Sequence, residues 1–300
     1  MFFCTLDVFT DRRFGGNPLA VIPDARGLDD DRMLEIAREF NLSETTFVFP
    51  PERPENTRRV RIFTPANELP FAGHPTIGTA YALALLGHVK LDGDETRIVF
   101  EEGVGPVPVS IRSRDGAPVF AELSAARMPE VGPPPPSRNA LADLLSLEVS
   151  DLSGGTWSPQ ALSCGVPYLF VPVRSRAALK RARVKLDRWE TTLKNGWASE
   201  LYVFSRDPEL EGSSIRARMF APAFGIGEDP ATGSAAAALA GYLGTRDRAK
   251  DGTLRWVVEQ GFEMGRPSIL HVEADKAQGA IVAVRVGGSA VMVSKGEMEI

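Results

Sequence analysis

Two Ala- and Leu-rich segments constrain this chain more than any other part of it. Phe63-Thr64-Pro65-Ala66 leads through Ala72-Gly73-His74-Pro75 into the run Thr76 to Leu86, and Phe220-Ala221-Pro222-Ala223 leads through Thr232-Gly233-Ser234 into the run Ala235 to Leu243. Both follow one plan: a strand, a polar loop, a glycine, a residue of N-cap type, then a helix apolar on nearly every side. A helix with small apolar side chains all round has no face suited to water, so it is buried on every side. The middle of a curled sheet provides that burial. The chain therefore predicts an α+β fold of two similar halves, each a curved β-sheet or barrel around a central helix.

Strands to build those sheets are present. Leu6 to Phe9, Ala20 to Ile22, Thr46 to Phe49, Val60 to Phe63, Ile98 to Phe100 and Val107 to Ile111 have strand-like composition, while Asp30 to Phe40 has helical spacing at Met33, Ile36, Ala37 and Phe40. Met128 to Asn139 then breaks the pattern with Gly132 and the tetraproline Pro133 to Pro136, which suits a semi-rigid linker. Beyond it lie strands around Tyr168 to Val173, Leu201 to Phe204, Ile215 to Met219, Trp256 to Glu259, Ile269 to Val272 and Ile281 to Val286. Gly287-Gly288 marks a return of the chain, after which Ala290 to Val293 rejoins the first half. The expected domains are 1–127 with 288–300, and 128–287, with the active site in the cleft between them.

Composition narrows the function. With 43% apolar and 24% charged residues the chain is an ordinary soluble one. A net charge of -5 and the lack of a basic run make nucleic acid an unsuitable partner. No apolar stretch approaches the ~20 residues needed to cross a bilayer. The opening Met1-Phe2-Phe3-Cys4-Thr5-Leu6-Asp7 lacks the basic end and long apolar run of a signal peptide, so a cytoplasmic protein is expected, with no membrane partner. The two cysteines, Cys4 and Cys164, indicate no disulfide framework and read as small buried hydrophobes rather than catalytic thiols. His74, His88 and His271 lack ligand spacing, and no metal site is expected.

The chemistry gathers at the two helix starts. Helix N-termini leave N–H groups unpaired and carry about half a positive charge, so two such ends meeting between two domains would bind an anion, most simply a carboxylate. Gly73 and Gly233 permit close approach. His74 beside Pro75, and Ser234 after Gly233, are suited to cap these helices and to reach a ligand. Glu44, in Asn41-Leu42-Ser43-Glu44-Thr45, precedes an apolar strand; Asp229, in Glu228-Asp229-Pro230-Ala231-Thr232-Gly233-Ser234, precedes the second central helix, whose N-terminus its charge would also stabilise. A carboxylic acid in a partly dry cleft has its pKa raised toward neutrality and can take and return a proton. A Ser/His/Asp hydrolase built from Ser234, His74 and Asp229 is disfavoured, because Ser234 lacks the Gly-x-Ser-x-Gly elbow. A phosphate-binding loop fails because the spacing from Gly227 to Gly233 is one residue too long and the lysine is absent. A small-acid binding protein without turnover stays open.

Five ordered motifs carry a resemblance. Asp7-Val8-Phe9 with Gly16-Asn17-Pro18, Asn41-Leu42-Ser43-Glu44-Thr45, Asn67-Glu68-Leu69-Pro70-Phe71-Ala72-Gly73-His74-Pro75, Glu228-Asp229-Pro230-Ala231-Thr232-Gly233-Ser234 and Gly261-Phe262-Glu263-Met264-Gly265-Arg266-Pro267-Ser268 resemble the signature of the phenazine biosynthesis PhzF family along the whole chain. The resemblance implies the diaminopimelate epimerase-like fold. It also implies a homodimeric isomerase needing no cofactor, acting on trans-2,3-dihydro-3-hydroxyanthranilate or a related small carboxylic acid. Glu44 would then be the general acid/base that moves a proton between ring carbons. His74, Asp229 and Ser234 would hold the substrate's polar groups and assist proton placement, with Gly73, Thr232 and Gly233 lining the substrate. Related epimerases and proline racemases use two cysteines at these helix starts; here Cys4 and Cys164 lie elsewhere, which disfavours two-thiol racemisation, while an epimerase or racemase acting on another small acid remains an alternative.

Overall fold

In the computed structural model, which describes residues 1–125 and 127–300, the chain divides into two units: Met1–Ser124 with Gly287–Ile300, and Ala125–Val286. The first opens with β1 (Phe2–Val8) and β2 (Asn17–Ile22), followed by α1 (Asp30–Phe40) and β3 (Glu44–Phe49). Helix α1 is amphipathic and capped at both ends. The Asp29 carboxylate accepts the Arg32 N–H at 2.9 Å, Asn41 ends the helix in the left-handed region at φ 50°, and Met33, Ile36 and Ala37 pack against Ile22, Phe47 and Phe63. Then come β4 (Arg58–Phe63), β5 (Glu68–Leu69), the central helix α2 (Gly73–Leu85), β6 (Glu95–Glu102), β7 (Gly105–Arg114) and β8 (Ala117–Ser124). β2 runs parallel to β3 and β4 parallel to β6; the other pairs are antiparallel, and this sheet wraps α2, which packs on β1, β2, β3, β7 and β8. Every residue from Gly73 to Ala84 is buried, as an all-apolar helix requires.

The second unit repeats this plan. It contains β9 (Glu130–Val131), α3 (Arg138–Leu144), β10 (Gln160–Ser163), β11 (Pro167–Val173), α4 (Arg176–Arg181), α5 (Leu186–Thr192), β12 (Glu200–Ser205), β13 (Ile215–Ala221), β14 (Ile226–Asp229), α6 (Gly233–Gly244), β15 (Gly252–Gln260), β16 (Ser268–Ala277) and β17 (Ala280–Gly288) up to Val286. Its parallel pairs are β11 with β12 and β13 with β15, and α6 packs on β10, β11, β15 and β16. An outer layer absent from the sequence reading, α3 to α5, covers the other face through Leu141, Leu144, Leu179 and Trp189 on Leu169, Leu201 and Phe220. Within the proline-rich stretch, Glu130 and Val131 pair with Ser163 and Leu162, and Ser137 caps α3. The last strand, β18 (Ala290–Glu297), lies antiparallel to β1 and closes the first unit.

Matching the two ladders strand for strand places Glu44 on Glu200, Arg59 on Arg216, Arg61 on Arg218, Phe63 on Phe220 and Glu102 on Gln260. Side chains repeat too. Arg61 forks onto Glu68 at 2.7 and 2.5 Å and stands over Phe63, as Arg218 forks onto Glu228 at 2.7 and 2.8 Å and stands over Phe220. Glu101 accepts the Glu52 and Arg53 amides, as Glu259 accepts those of Glu209 and Leu210. The signal is a repeated Arg-x-Arg-x-Phe-x-Pro-Ala at 59–66 and 216–223, of which the sequence reading used only the last four positions.

Candidate active site

In the first unit the site residues meet at the start of α2. The helix begins at Gly73, its N-cap position is Ala72, and no side chain caps it, so His74 is the second helical residue and not a cap. This corrects the expected capping role: a residue inside the first turn projects its side chain away from the leading amides. His74 is 5% exposed, with Nδ1 at 3.2 Å from Asn17 Nδ2 and Nε2 at 3.4 Å from Glu44 Oε2. Burial pushes the imidazole down to about 3, against an opposing hydrogen bond to the Pro18 carbonyl. The ring is therefore neutral at cellular pH, and its contact with Glu44 is not an ion pair. Glu44 opens β3 beside Leu19 of the parallel β2, with its side chain 14% exposed. Behind it the Thr46 and Thr79 hydroxyls, 2.8 Å apart, tie β3 to α2. Asn17, fully buried, is a site residue that the sequence reading left without a role; Gly16 at φ 61° brings it into β2 where a Cβ would run into the Val8 carbonyl.

In the second unit the corresponding constellation surrounds the start of α6. That helix begins at Gly233 after Thr232, again with no side-chain cap, so Ser234 too lies inside the first turn instead of capping it. Ser234 Oγ is 2.6 Å from the Tyr168 hydroxyl. Asp229, at the end of β14, is buried and accepts the Thr232 hydroxyl. Gln260 locks this loop: its Nε2 donates to the Asp229 carbonyl at 2.8 Å and to Thr232 Oγ1 at 3.0 Å, and its Oε1 accepts the Tyr202 hydroxyl at 3.1 Å. Burial, with the Asp229 charge, raises the Tyr202 pKa, so that hydroxyl stays a donor. Tyr168, near the start of β11, Tyr202, within β12, and Gln260, at the end of β15, carry no local sequence signal, because only strand register brings them to the helix.

Each unit thus gathers its own share of the expected residues. Glu44, Gly73 and His74 form one group; Asp229, Thr232, Gly233 and Ser234 form the other. Chemically the first offers a carboxylate beside a neutral imidazole, a proton acceptor with a hydrogen-bonding neighbour. The second offers hydroxyls and a helix start, which suit polar or anionic groups. Burial pushes the thiols of Cys4 and Cys164 up to about 12, so neither is a thiolate at neutral pH. Among the described residues no three His, Cys, Asp or Glu side chains group as a metal site would, and no helix is long and apolar enough to cross a membrane.

Comparison with known proteins places these features in one context. The family described as phenazine biosynthesis-like protein matches residues 6–296. The chain is 42% identical to an uncharacterized isomerase of Mesorhizobium japonicum, over 97% of this chain and 96% of that one. It is 35% identical to the trans-2,3-dihydro-3-hydroxyanthranilate isomerase of Pseudomonas aeruginosa, over 98% of each. Among solved structures, a PhzF-family phenazine biosynthesis protein of Bacillus anthracis superposes with a TM-score of 0.89 at 27% identity, covering 100% of this chain and 99% of that one. A proline racemase at 15% identity and a TM-score of 0.65 shares the fold alone, which is the diaminopimelate epimerase-like α+β fold.

Proposed function

Since the chain belongs to the phenazine biosynthesis-like (PhzF) family, we propose that it is an isomerase that moves a proton between carbons of a small carboxylic acid, with trans-2,3-dihydro-3-hydroxyanthranilate or a close relative as substrate. The observation that carries this reading is Glu44 Oε2 at 3.4 Å from Nε2 of a buried, neutral His74 at the start of α2. Glu44 takes a proton from one ring carbon, the electrons shift along the conjugated system, and Glu44 returns the proton to a second carbon. His74 stays neutral and orients the carboxylate. Asp229, Thr232 and Ser234 of the second unit hold the carboxylate, amino and hydroxyl groups of the same substrate, helped by the amides at Gly73 and Gly233. The reaction is a proton shift without net redox change, so the acid/base groups of the chain suffice for it.

The test is to incubate the protein with trans-2,3-dihydro-3-hydroxyanthranilate in deuterated water and follow substrate loss and deuterium incorporation by NMR. Wild type is expected to turn over with deuterium incorporated, and Glu44→Gln to lose about 10²–10⁴-fold in kcat while still binding substrate. Undiminished turnover by Glu44→Gln would remove Glu44 from the mechanism. Binding without exchange by wild type would favour a small-acid binding protein.

A further inference from the structure

The internal repeat assigns a counterpart to Glu44. Glu44 is the first residue of β3 and pairs with Leu19 of the parallel β2; Glu200 is the first residue of β12 and pairs with Tyr168 of the parallel β11. Side-chain alternation then sets the direction of Glu200. Leu201 and Val203 point to the outer core under α3 to α5, whereas Tyr202 and Phe204 point the other way, Phe204 onto Tyr242 of α6 and Tyr202 onto Gln260 beside the start of α6. Glu200 shares the parity of Tyr202 and Phe204. Its strand neighbour Tyr168 reaches Ser234 in the first turn of α6, so Glu200 stands at the same end of that helix. Glu200 thus holds the position in β12 that Glu44 holds in β3, on the side of its sheet that faces the central helix.

Glu200 is 1% exposed. Its Oε1 accepts the Ser199 hydroxyl at 3.1 Å and the carboxylate also takes the Ala223 N–H, while Oε2, equally enclosed, has no hydrogen-bond partner among the described residues. An enclosed carboxylate oxygen without a donor disfavours the ionised form and favours the neutral acid. Consistently, burial pushes this carboxyl up to about 7. Ionisable groups on this side of the unit include Tyr168 on β11, Tyr202 on β12, Asp229 on β14, and Tyr242 on α6 with Arg246 over its ring. Arg218 of β13 turns to the outer face, where it meets Glu228 and the carbonyls of Leu179 and Ala182. Among the described residues, the groups that act on the Glu200 carboxyl are the Ser199 hydroxyl and the Ala223 N–H, and no cation is one of them.

We propose that Glu200 is the second acid/base group of the reaction: it enters as a neutral carboxylic acid and shares its proton with the substrate oxygen seated at the start of α6 while Glu44 holds the proton taken from carbon. The assignment rests on the isomerase reading given above. The O–H bond of Glu200 lengthens toward the substrate oxygen as the C–H bond breaks at Glu44, and both protons go back when the second C–H bond forms. No other reactant is consumed.

Two measurements on the whole protein test it separately. The first needs no substrate: a ¹³C NMR titration of the glutamate carboxyls, with the Glu200 signal assigned by its loss in Glu200→Gln. A midpoint near 7 that persists in Glu44→Gln is expected; a Glu200 ionised in the ordinary carboxylate range, below about 5, overturns the proposal. The second is the pH profile of kcat/KM on trans-2,3-dihydro-3-hydroxyanthranilate. Wild type should lose activity as pH rises through the Glu200 titration; Glu200→Gln should show no such alkaline limb and a kcat lower by about 10²-fold. A Glu200→Gln variant with the wild-type rate and profile overturns the proposal. If Glu200→Gln does not fold, judged by its thermal melt, Glu200→Asp replaces it, expected to keep the limb with a reduced rate. Should wild type leave this acid untouched, the substrate reading fails on its own account, and the titration then decides for or against Glu200.

Discussion

Glu102 ends β6 with one carboxylate oxygen on the Thr76 hydroxyl, 2.7 Å away in the first turn of α2, and the other enclosed without a donor among the described residues. Burial pushes it up to about 8 from an ordinary 4.5, against the opposing hydrogen bond from Thr76. The folded state therefore binds a proton that the unfolded chain has released between pH 4.5 and about 8. Stability from this group is full below the unfolded value and is lost as pH rises through the folded one. Glu102→Gln should abolish that loss. It copies Gln260, the residue at the matching place in the second unit, and keeps an acceptor for Thr76. Thermal or urea melts at pH 5, 7 and 9 should show the variant close to wild type at the lowest pH and more stable by about 2–4 kcal/mol at the highest; equal stability at all three would mean that Glu102 is ionised without penalty. None of this was legible in the sequence, where Glu102 is one acid among many, because its proton affinity comes from neighbours brought by β4, β6 and α2.

Among the elements, the central helices show how much local sequence determines. Their apolar composition alone required burial on all sides, and the structure provides it. Their starts lie earlier than the expected 76 and 235, at Gly73 and Gly233, because glycine before an Ala-rich run reads as loop whereas the packed helix extends through it. Gly78 gives a test of how tightly the sheet closes on α2. Alanine there would favour the helix by about 0.5–1 kcal/mol, yet its Cβ would stand 2.6 Å from side-chain carbons of both Val8 and Leu19. Overpacking costs about 1–3 kcal/mol, so Gly78→Ala should lower the melting temperature by several degrees, whereas a gain would show that β1 and β2 can give way. Helix α1 was readable to its ends because eleven residues carry both caps and a periodic apolar face. Helices α3 to α5, of six or seven residues each, are too short to display a period, and were missed.

The first unit is assembled from the two ends of the chain. β1 lies between β2 and β18, paired with the latter from Phe2 opposite Glu297 to Val8 opposite Ala290, and the Phe9 N–H reaches the Ser289 carbonyl at 2.8 Å. Removing residues 289–300 should expose one whole edge of β1 and unfold the first unit. Hydrogen exchange of the truncated chain is expected to show protection lost across Met1–Ser124 and retained across Ala125–Val286; retained protection in both would make β18 dispensable. The family resemblance singled out Glu44, which stands before a strand; from composition and spacing came the two buried helices, the two-fold plan, and His74, Asp229 and Ser234 beside the helix starts. These follow from local composition and spacing, which decide what a segment must bury and roughly where its helix lies. Tertiary structure alone decided which side chains complete each site. Asn17 finds His74 across 57 positions and Tyr168 finds Ser234 across 66. Only strand register brings such pairs together, and only the enclosure it creates raises or lowers the proton affinities of His74, Glu102 and Glu200.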